Sequence, residues 1–434
     1  MRQILRFVAL WLFIAMSGPA WAAFSVTTPA GDQLEVKAFG TSQGGPLFLW
    51  LLNQYGETQR ANSLAEALAE QGASVWQVDL LDGLMLQRSA EAIRNIDGTP
   101  VAALLTAAVR SGRRPIVLVA SDRMAVPLLK GLREWQTQAT HTRDVAGAVL
   151  FFPNLYRGTP IAGEDPEWMD IVRATNMPVL IMQPALGANR GRLPELMRVL
   201  QEAGSQAYSW LVRDVRDYYL FQTERPRSES LQALAGTVPV AVEQAVRDTP
   251  ARLLAAARLL AASPHPVKPR PLEGQPIPAA APAYGLIERP RRPAPGFALT
   301  DARGQRHTLA PGRITLVNFW ATWCPPCVHE IPSMNRLAAS YGPKDFAIVS
   351  INFKESAEHV QAFLKRVDVD FPVLLDDNGA VSSRWRVFAF PSSFLLDRQG
   401  KVRYSVNTAI EWDSDEVKTV IERLLREPDE PAAK

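Results

Sequence analysis

Apolar residues in the first part of the chain recur in short continuous runs, separated by stretches with helical spacing. The runs fall at 46–52, 74–78, 115–120, 146–152, 178–182 and 207–212. Uninterrupted apolar runs of this length read as strands buried on both faces. Stretches such as 61–71 and 124–135 between them repeat at the helical period, and an Ala/Leu-rich helix is predicted at 240–262. The alternation predicts an α/β domain with a mainly parallel sheet. Beyond position 296 the pattern changes. Two short alternating runs around Gly304 predict a hairpin, followed by strands at 315–319, 346–352, 373–375, 393–396 and 401–406. Helices fit at 324–340, 356–367 and 413–426.

Between these two patterns the chain is punctuated by proline. Positions 263–295 hold ten of its 34 prolines, together with Lys268, Arg270, Arg289, Arg291 and Arg292. Such a stretch favours extended polyproline II and reads as a solvated, semi-rigid spacer. The expected organisation is therefore a domain at 24–262, a Pro-rich linker at 263–295 and a second domain at 296–429. Residues 1–22 read as a signal peptide or N-terminal anchor. Arg2 and Arg6 precede an apolar run at 7–16, Ser17, Gly18 and Pro19 break the helix, and Ala20-Trp21-Ala22 is a small-x-small cleavage site. The apolar run covers roughly 15 Å as a helix, about half a bilayer core. A periplasmic or otherwise extracytoplasmic location follows, with anchoring if the segment stays uncleaved.

Composition narrows the chemistry. A length of 434 residues, 47% hydrophobic and 21% charged, is globular and too long for one ordinary domain. The net charge of +3 offers no basic excess for a nucleic-acid partner. Two cysteines and five histidines exclude a disulfide-stapled scaffold and a four-cysteine zinc site.

Both cysteines lie in Trp323-Cys324-Pro325-Pro326-Cys327, after a buried strand and at a helix start. Unpaired N–H groups and the positive end of the helix dipole stabilise a thiolate there. Cys324 is expected to be the exposed, low-pKa nucleophile and Cys327, one turn in and better buried, the resolving thiol. Pro325 and Pro326 cost little at the first helical positions. A zinc site would need two more ligands, and His307, His329 and His359 lack ligand spacing. A purely structural disulfide would close a very short loop and gain little from chain entropy. Thiol–disulfide exchange is the third reading. No metal or other cofactor is expected beyond a redox-active Cys324–Cys327 disulfide.

Residues 296–429 resemble a thioredoxin-fold domain of the TlpA/ResA type, the extracytoplasmic thiol–disulfide oxidoreductases. The hairpin, Asn318-Phe319-Trp320-Ala321-Thr322-Trp323 before the thiol pair, Glu330 and Pro332 after it, and Phe390-Pro391-Ser392-Ser393-Phe394 with Gly400 carry the likeness. Ser392 stands where the family usually has Thr, and Ala389 where it often has Gly. The resemblance implies that Pro391 is a cis-proline facing the cysteines and contacting the client chain. It implies that Glu330 manages protons near the thiols and that Glu355 is a further acid beside the site. Trp320 and Trp323 are expected to shield the disulfide. It also implies disulfide-containing client proteins, and a membrane thiol-transfer protein as electron donor.

Residues 24–262 resemble, more weakly, an α/β-hydrolase. Its nucleophile elbow, G-x-S-x-G, would fall at Val119-Ala120-Ser121-Asp122-Arg123, where Ser121 is present but neither glycine is. The stretch 213–221, where a triad histidine belongs, has none, and His141 is misplaced. A non-catalytic relative is expected. The alternatives are a residual serine hydrolase, or a client-binding, chaperone-like protein with a redox-protective thiol domain.

Overall fold

The computed structural model describes residues 21–40, 44–221, 240–266, 268–272 and 285–428. The signal segment up to residue 20, positions 273–284 of the spacer and the last residue of the 296–429 domain lie outside the described residues.

The larger domain is built on an eight-stranded sheet. Its strands are β1 (Trp21–Thr27), β2 (Gln33–Phe39), β3 (Leu47–Leu51), β4 (Ser74–Val78), β5 (Ile116–Ser121), β6 (Val145–Phe151), β7 (Val179–Pro184) and β8 (Ala207–Val212). They run in the order β1-β2-β4-β3-β5-β6-β7-β8, antiparallel from β1 to β4 and parallel from β4 to β8. The six predicted strands lie within a residue or two of their observed positions. β1 and β2 were not predicted, because β1 is largely exposed and β2 buries only alternate positions. Apolar residues of β3 and β5 divide between two cores. One packs under the helices Thr99–Arg110, Ala125–Gln138 and Leu193–Glu202. The other packs under Gln59–Glu70 and Val240–Ala261 on the opposite face.

The turn after β5 differs from the sequence reading by one residue. Ser121 ends the strand, and the left-handed position is Asp122, with φ of 49°. Ser121 Oγ is buried and has no hydrogen-bond partner among the described residues. Asp122 instead accepts a hydrogen bond from the Tyr218 hydroxyl at 2.8 Å.

The smaller domain contains a six-stranded sheet in the order β14-β13-β12-β15-β16-β9 and a separate hairpin, β10 (Ala298–Thr300) with β11 (Arg306–Thr308). β12 (Ile314–Trp320), β13 (Phe346–Phe353) and β14 (Val373–Asp376) are parallel, whereas β15 (Ser392–Leu396), β16 (Lys401–Val406) and β9 (Ile287–Pro293) run antiparallel. Helices Pro325–Ala339, Ala357–Leu364 and Asp415–Arg426 flank this sheet. Two side-chain caps mark helix starts: Ser356 accepts from His359 N and Ser414 from Val417 N.

β9 corrects the reading of 263–295 as one solvated linker. Its prolines are tolerated because it is an edge strand, where a missing N–H removes no central ladder bond. Its arginines have partners too: Arg291 pairs with the buried Asp397 at 2.9 Å and Arg289 with Glu164. At the other end of the stretch, Pro266 O accepts from Gln136 and Thr142, and Lys268 O from Asn176. The Pro-rich stretch is thus anchored to a domain at each end.

The domains dock through loops of the larger one, including the segment after β7, where Arg192 lies 5.3 Å over the Phe388 ring. Residues 160–165 lie on β15, β16 and β9. Arg292 donates to Gly163 O at 2.6 Å, Asn407 donates to Pro160 O, and Arg386 pairs with Asp165 at 3.2 Å. Ala162 enters the apolar cluster of Phe297, Phe319 and Phe394. Gly163 has φ of 85°, and a Cβ there would stand 3.0 Å from the Phe394 ring, so this approach requires glycine. Another loop, after β8, reaches the turn before the thiol pair, where Arg216 meets Glu355 and Trp323.

Candidate active site

β12 delivers seven buried residues to the sheet centre, and the chain then turns through Ala321-Thr322-Trp323 into the helix Pro325–Ala339. Cys324 is the N-cap of that helix and forms a disulfide with Cys327. Its sulfur accepts the Cys327 N–H at 3.3 Å, as a capping oxygen would. Pro325 and Pro326 occupy the first two helical positions. Contrary to the expectation of an exposed Cys324, both cysteines are almost fully enclosed in the oxidised pair, Cys324 at 4% and Cys327 at 1% exposure, because they pack into one cluster with Trp320, Ile331 and Phe390.

The register of β12 with β15 brings in the proline loop. Asn318 lies opposite Ser393 and Phe319 opposite Ser392, so one further step sets Pro391 beside Trp320. The Phe390–Pro391 peptide is cis. Phe390 packs on the cluster containing Trp320, Cys324 and Cys327, and meets the Trp323 ring edge-to-face at 5.9 Å. The two tryptophans differ: Trp320 is buried against Phe363, while Trp323 is 39% exposed at the mouth of the site.

Glu330, one turn past Cys327, is buried with two side-chain donors. Asn318 Nδ2 reaches one carboxyl oxygen at 2.8 Å and Trp412 Nε1 the other at 3.0 Å. Burial pushes its carboxyl up to about 7, although both donors and the Ile410 backbone act in the other direction. A carboxyl with that value can give or take a proton near neutrality. Glu355, also buried, braces the turn before Cys324. Its oxygens accept from Thr322 N (2.7 Å), Thr322 Oγ1 (2.8 Å) and Asn352 Nδ2 (2.8 Å). His307 pairs with Asp301 in the β10–β11 hairpin, away from the cysteines.

Three participants had no role in the sequence reading. Asn318 bonds both Glu330 and Ser393, and an amide inside an otherwise apolar strand was the available signal for it. Trp412 comes from the segment before the last helix, and Arg216 from the larger domain; local pattern links neither to the cysteines. Arg216 donates to Glu355 at 3.2 Å, and its guanidinium lies 5.1 Å over the Trp323 ring.

The redoxin family matches residues 274–421, a span that includes β9. The thiol-disulfide oxidoreductase ResA of Bacillus thuringiensis subsp. konkukian (strain 97-27) is 39% identical over 111 residues, which cover 25% of this chain and 64% of that protein. The thioredoxin-like protein YneN of Bacillus subtilis (strain 168) is 37% identical over 115 residues, covering 25% of this chain and 66% of its own. Among solved structures, StoA from Bacillus subtilis aligns with 22% identity over 30% of this chain and 96% of its own, with a TM-score of 0.26. The chain thus spans somewhat under two thirds of the length of the curated relatives it matches. The C-terminal domain is a thioredoxin-fold domain related to ResA and YneN, as its sequence motifs led one to expect.

Proposed function

We propose that this protein is an extracytoplasmic thiol–disulfide oxidoreductase that reduces disulfides of client proteins through Cys324 and Cys327. The observation that carries the proposal is the closed Cys324–Cys327 pair at a helix start, with Glu330 one turn away and Phe390, of the cis Phe390–Pro391 peptide, packed on the same cluster. The ResA and YneN likenesses support the same chemistry. In the reduced enzyme, the Cys324 thiolate attacks one sulfur of a client disulfide. That bond breaks, the client's other sulfur leaves as a thiolate, and a mixed disulfide forms. Cys327 then loses its proton, with Glu330 as acceptor, and attacks Cys324. The second client thiolate leaves and the enzyme disulfide closes. Two electrons pass to the client, so the pair must be reduced again. An exported protein would draw those electrons from a membrane thiol-transfer protein.

Cys327→Ala removes the resolving thiol and is expected to accumulate mixed disulfides between Cys324 and its clients. Non-reducing electrophoresis with mass spectrometry reads them out. An empty trap, with Cys324 still reactive toward a small disulfide, would favour the client-binding, redox-protective reading over catalysis.

The larger domain is proposed to be an α/β-hydrolase-like scaffold without hydrolytic activity. Its mainly parallel sheet with helices on both faces, and the strained turn directly after β5, support the fold reading. The buried Ser121 hydroxyl, without a partner among the described residues, and a tyrosine rather than a histidine on Asp122, argue against catalysis. Chromogenic ester hydrolysis should not exceed the buffer rate; a rate lost on Ser121→Ala or Asp122→Asn would revive the hydrolase.

A further inference from the structure

We infer that Arg216, from the larger domain, is a positioning residue of the thiol site: its guanidinium joins the Glu355 carboxylate to the Trp323 ring and so holds the turn that presents Cys324. The inference rests on the thiol-exchange reading above and adds to it a residue outside the thioredoxin-fold domain. Glu355 is 5% exposed and receives hydrogen bonds from three neutral donors on Thr322 and Asn352. Those donors are neutral and do not balance a carboxylate's charge, and two of them belong to Thr322, two residues before the thiol that must ionise. A like charge this close disfavours a thiolate. Among the described residues, Arg216 is the only guanidinium or ammonium within ion-pair distance of Glu355. His359 stands 3.5 Å away, with its ring largely exposed.

The same guanidinium covers Trp323 at 5.1 Å, and Trp323 faces Phe390, the residue before Pro391. One arginine therefore touches the acid that braces the cysteine turn and the ring that lines the cleft mouth. Its side chain is 26% exposed, so solvent screens the pair less than a surface ion pair. The titratable and charged groups on the elements around the turn are Lys354, Glu355 and His359 after β13, Glu330 on the helix, and from the larger domain Arg216 with Asp217, whose carboxyl burial pushes up to about 7. Docking of residues 160–165 holds the larger domain so that Arg216 reaches this point.

The test uses the full chain with Cys324 and Cys327 reduced, following thiolate absorbance at 240 nm against pH and tryptophan emission on oxidation. Arg216→Ala should move the Cys324 ionisation midpoint upward, lowering the thiolate fraction below that midpoint about threefold to tenfold. It should also change the emission difference between oxidised and reduced protein. Arg216→Lys keeps the charge but loses the planar fork, and should restore only part of the shift. In a Glu355→Gln background the Arg216→Ala shift should largely vanish, because the two residues act through one interaction. An unchanged midpoint in a folded Arg216→Ala protein overturns the inference, as does an equal shift in both backgrounds. A wild-type chain that exchanges with no disulfide at all overturns the parent reading instead, whatever Arg216→Ala does.

Discussion

Replacing Cys324 with serine is expected to lower the rate of disulfide exchange by about a thousandfold or more while leaving the fold intact. The nucleophile in this chemistry is a thiolate, and a serine hydroxyl does not ionise near neutral pH. Cys327 is poorly placed to take over, because it lies inside the first helical turn whereas Cys324 is the N-cap residue at the turn that opens the helix. The fold should survive for equally local reasons. Cys324 is an N-cap whose sulfur accepts the Cys327 N–H, and a serine hydroxyl is a good N-cap acceptor of similar size. The lost disulfide closed only a few residues, so little unfolded-state entropy is released. Reduction of a protein disulfide substrate by the reduced enzyme measures the first expectation, and thermal melting the second. Retained exchange in Cys324→Ser would mean that the attacking thiol has been misassigned.

Trp412→Ala is expected to have the largest effect on stability. Its side chain is fully buried in the core of Leu316, Met334, Tyr404 and Ile421. Its indole N–H satisfies Glu330, and its backbone N–H reaches Ser333 Oγ at 3.1 Å. Removing so large a buried ring costs roughly 3–5 kcal/mol. Leaving one oxygen of a buried carboxyl without its donor adds roughly 1–3 kcal/mol. The sum is on the order of 5 kcal/mol, comparable to the whole stability of many domains. The variant should therefore lose the calorimetric transition of the thiol domain at temperatures where the wild type is folded.

Trp412→Phe keeps an aromatic ring, loses the donor with part of the buried volume, and ties this core to the pH response. Burial raises the Glu330 carboxyl from 4.5 to about 7, so the folded protein holds a proton that the unfolded chain has released. For a group raised in this way, the stability contribution is complete below about 4.5 and is lost as pH rises through about 7. The loss is on the order of 3 kcal/mol for a group this buried. Glu330→Gln should abolish that slope, although its amide offers a single acceptor to two donors and costs some stability throughout. Trp412→Phe removes an interaction that lowers the carboxyl's value, so its slope should extend to higher pH. Calorimetric transitions recorded from pH 4.5 to 8 test both variants. A wild type and a Glu330→Gln variant that run parallel across this range would refute the assignment.

Much of the fold was written in local pattern. Continuous apolar runs marked the buried strands, because a strand covered on both faces has no polar side to show. The same logic hid β1 and β2, which lie at the sheet edge with mixed exposure. It also misjudged β9, where prolines and arginines suggested a spacer. An edge strand tolerates prolines, and its arginines bind Asp397, Glu164 and Gly163 O, partners that become visible only in three dimensions. The strained position of the turn after β5 is Asp122, inside the 119–123 stretch and one residue beyond Ser121. Ser121 attracted attention as a hydroxyl, but which residue takes positive φ depends on where the strand ends.

The cysteines counted in the sequence already limited the chemistry to one pair, and their place at a helix start after a buried strand is local information. Chain order and spacing therefore determined the thiol pair as the candidate, helical period set Glu330 on its face, and the TlpA/ResA resemblance supplied the roles expected of Glu330 and Pro391. The tertiary structure decided how those groups are tuned. Trp412 lies 82 residues from Glu330 and Arg216 lies 139 residues from Glu355. Hydrogen bonds and charges act over a few ångströms with no regard for separation along the chain. Only the packing of the last helix and the docking of the larger domain could set those two side chains against the site.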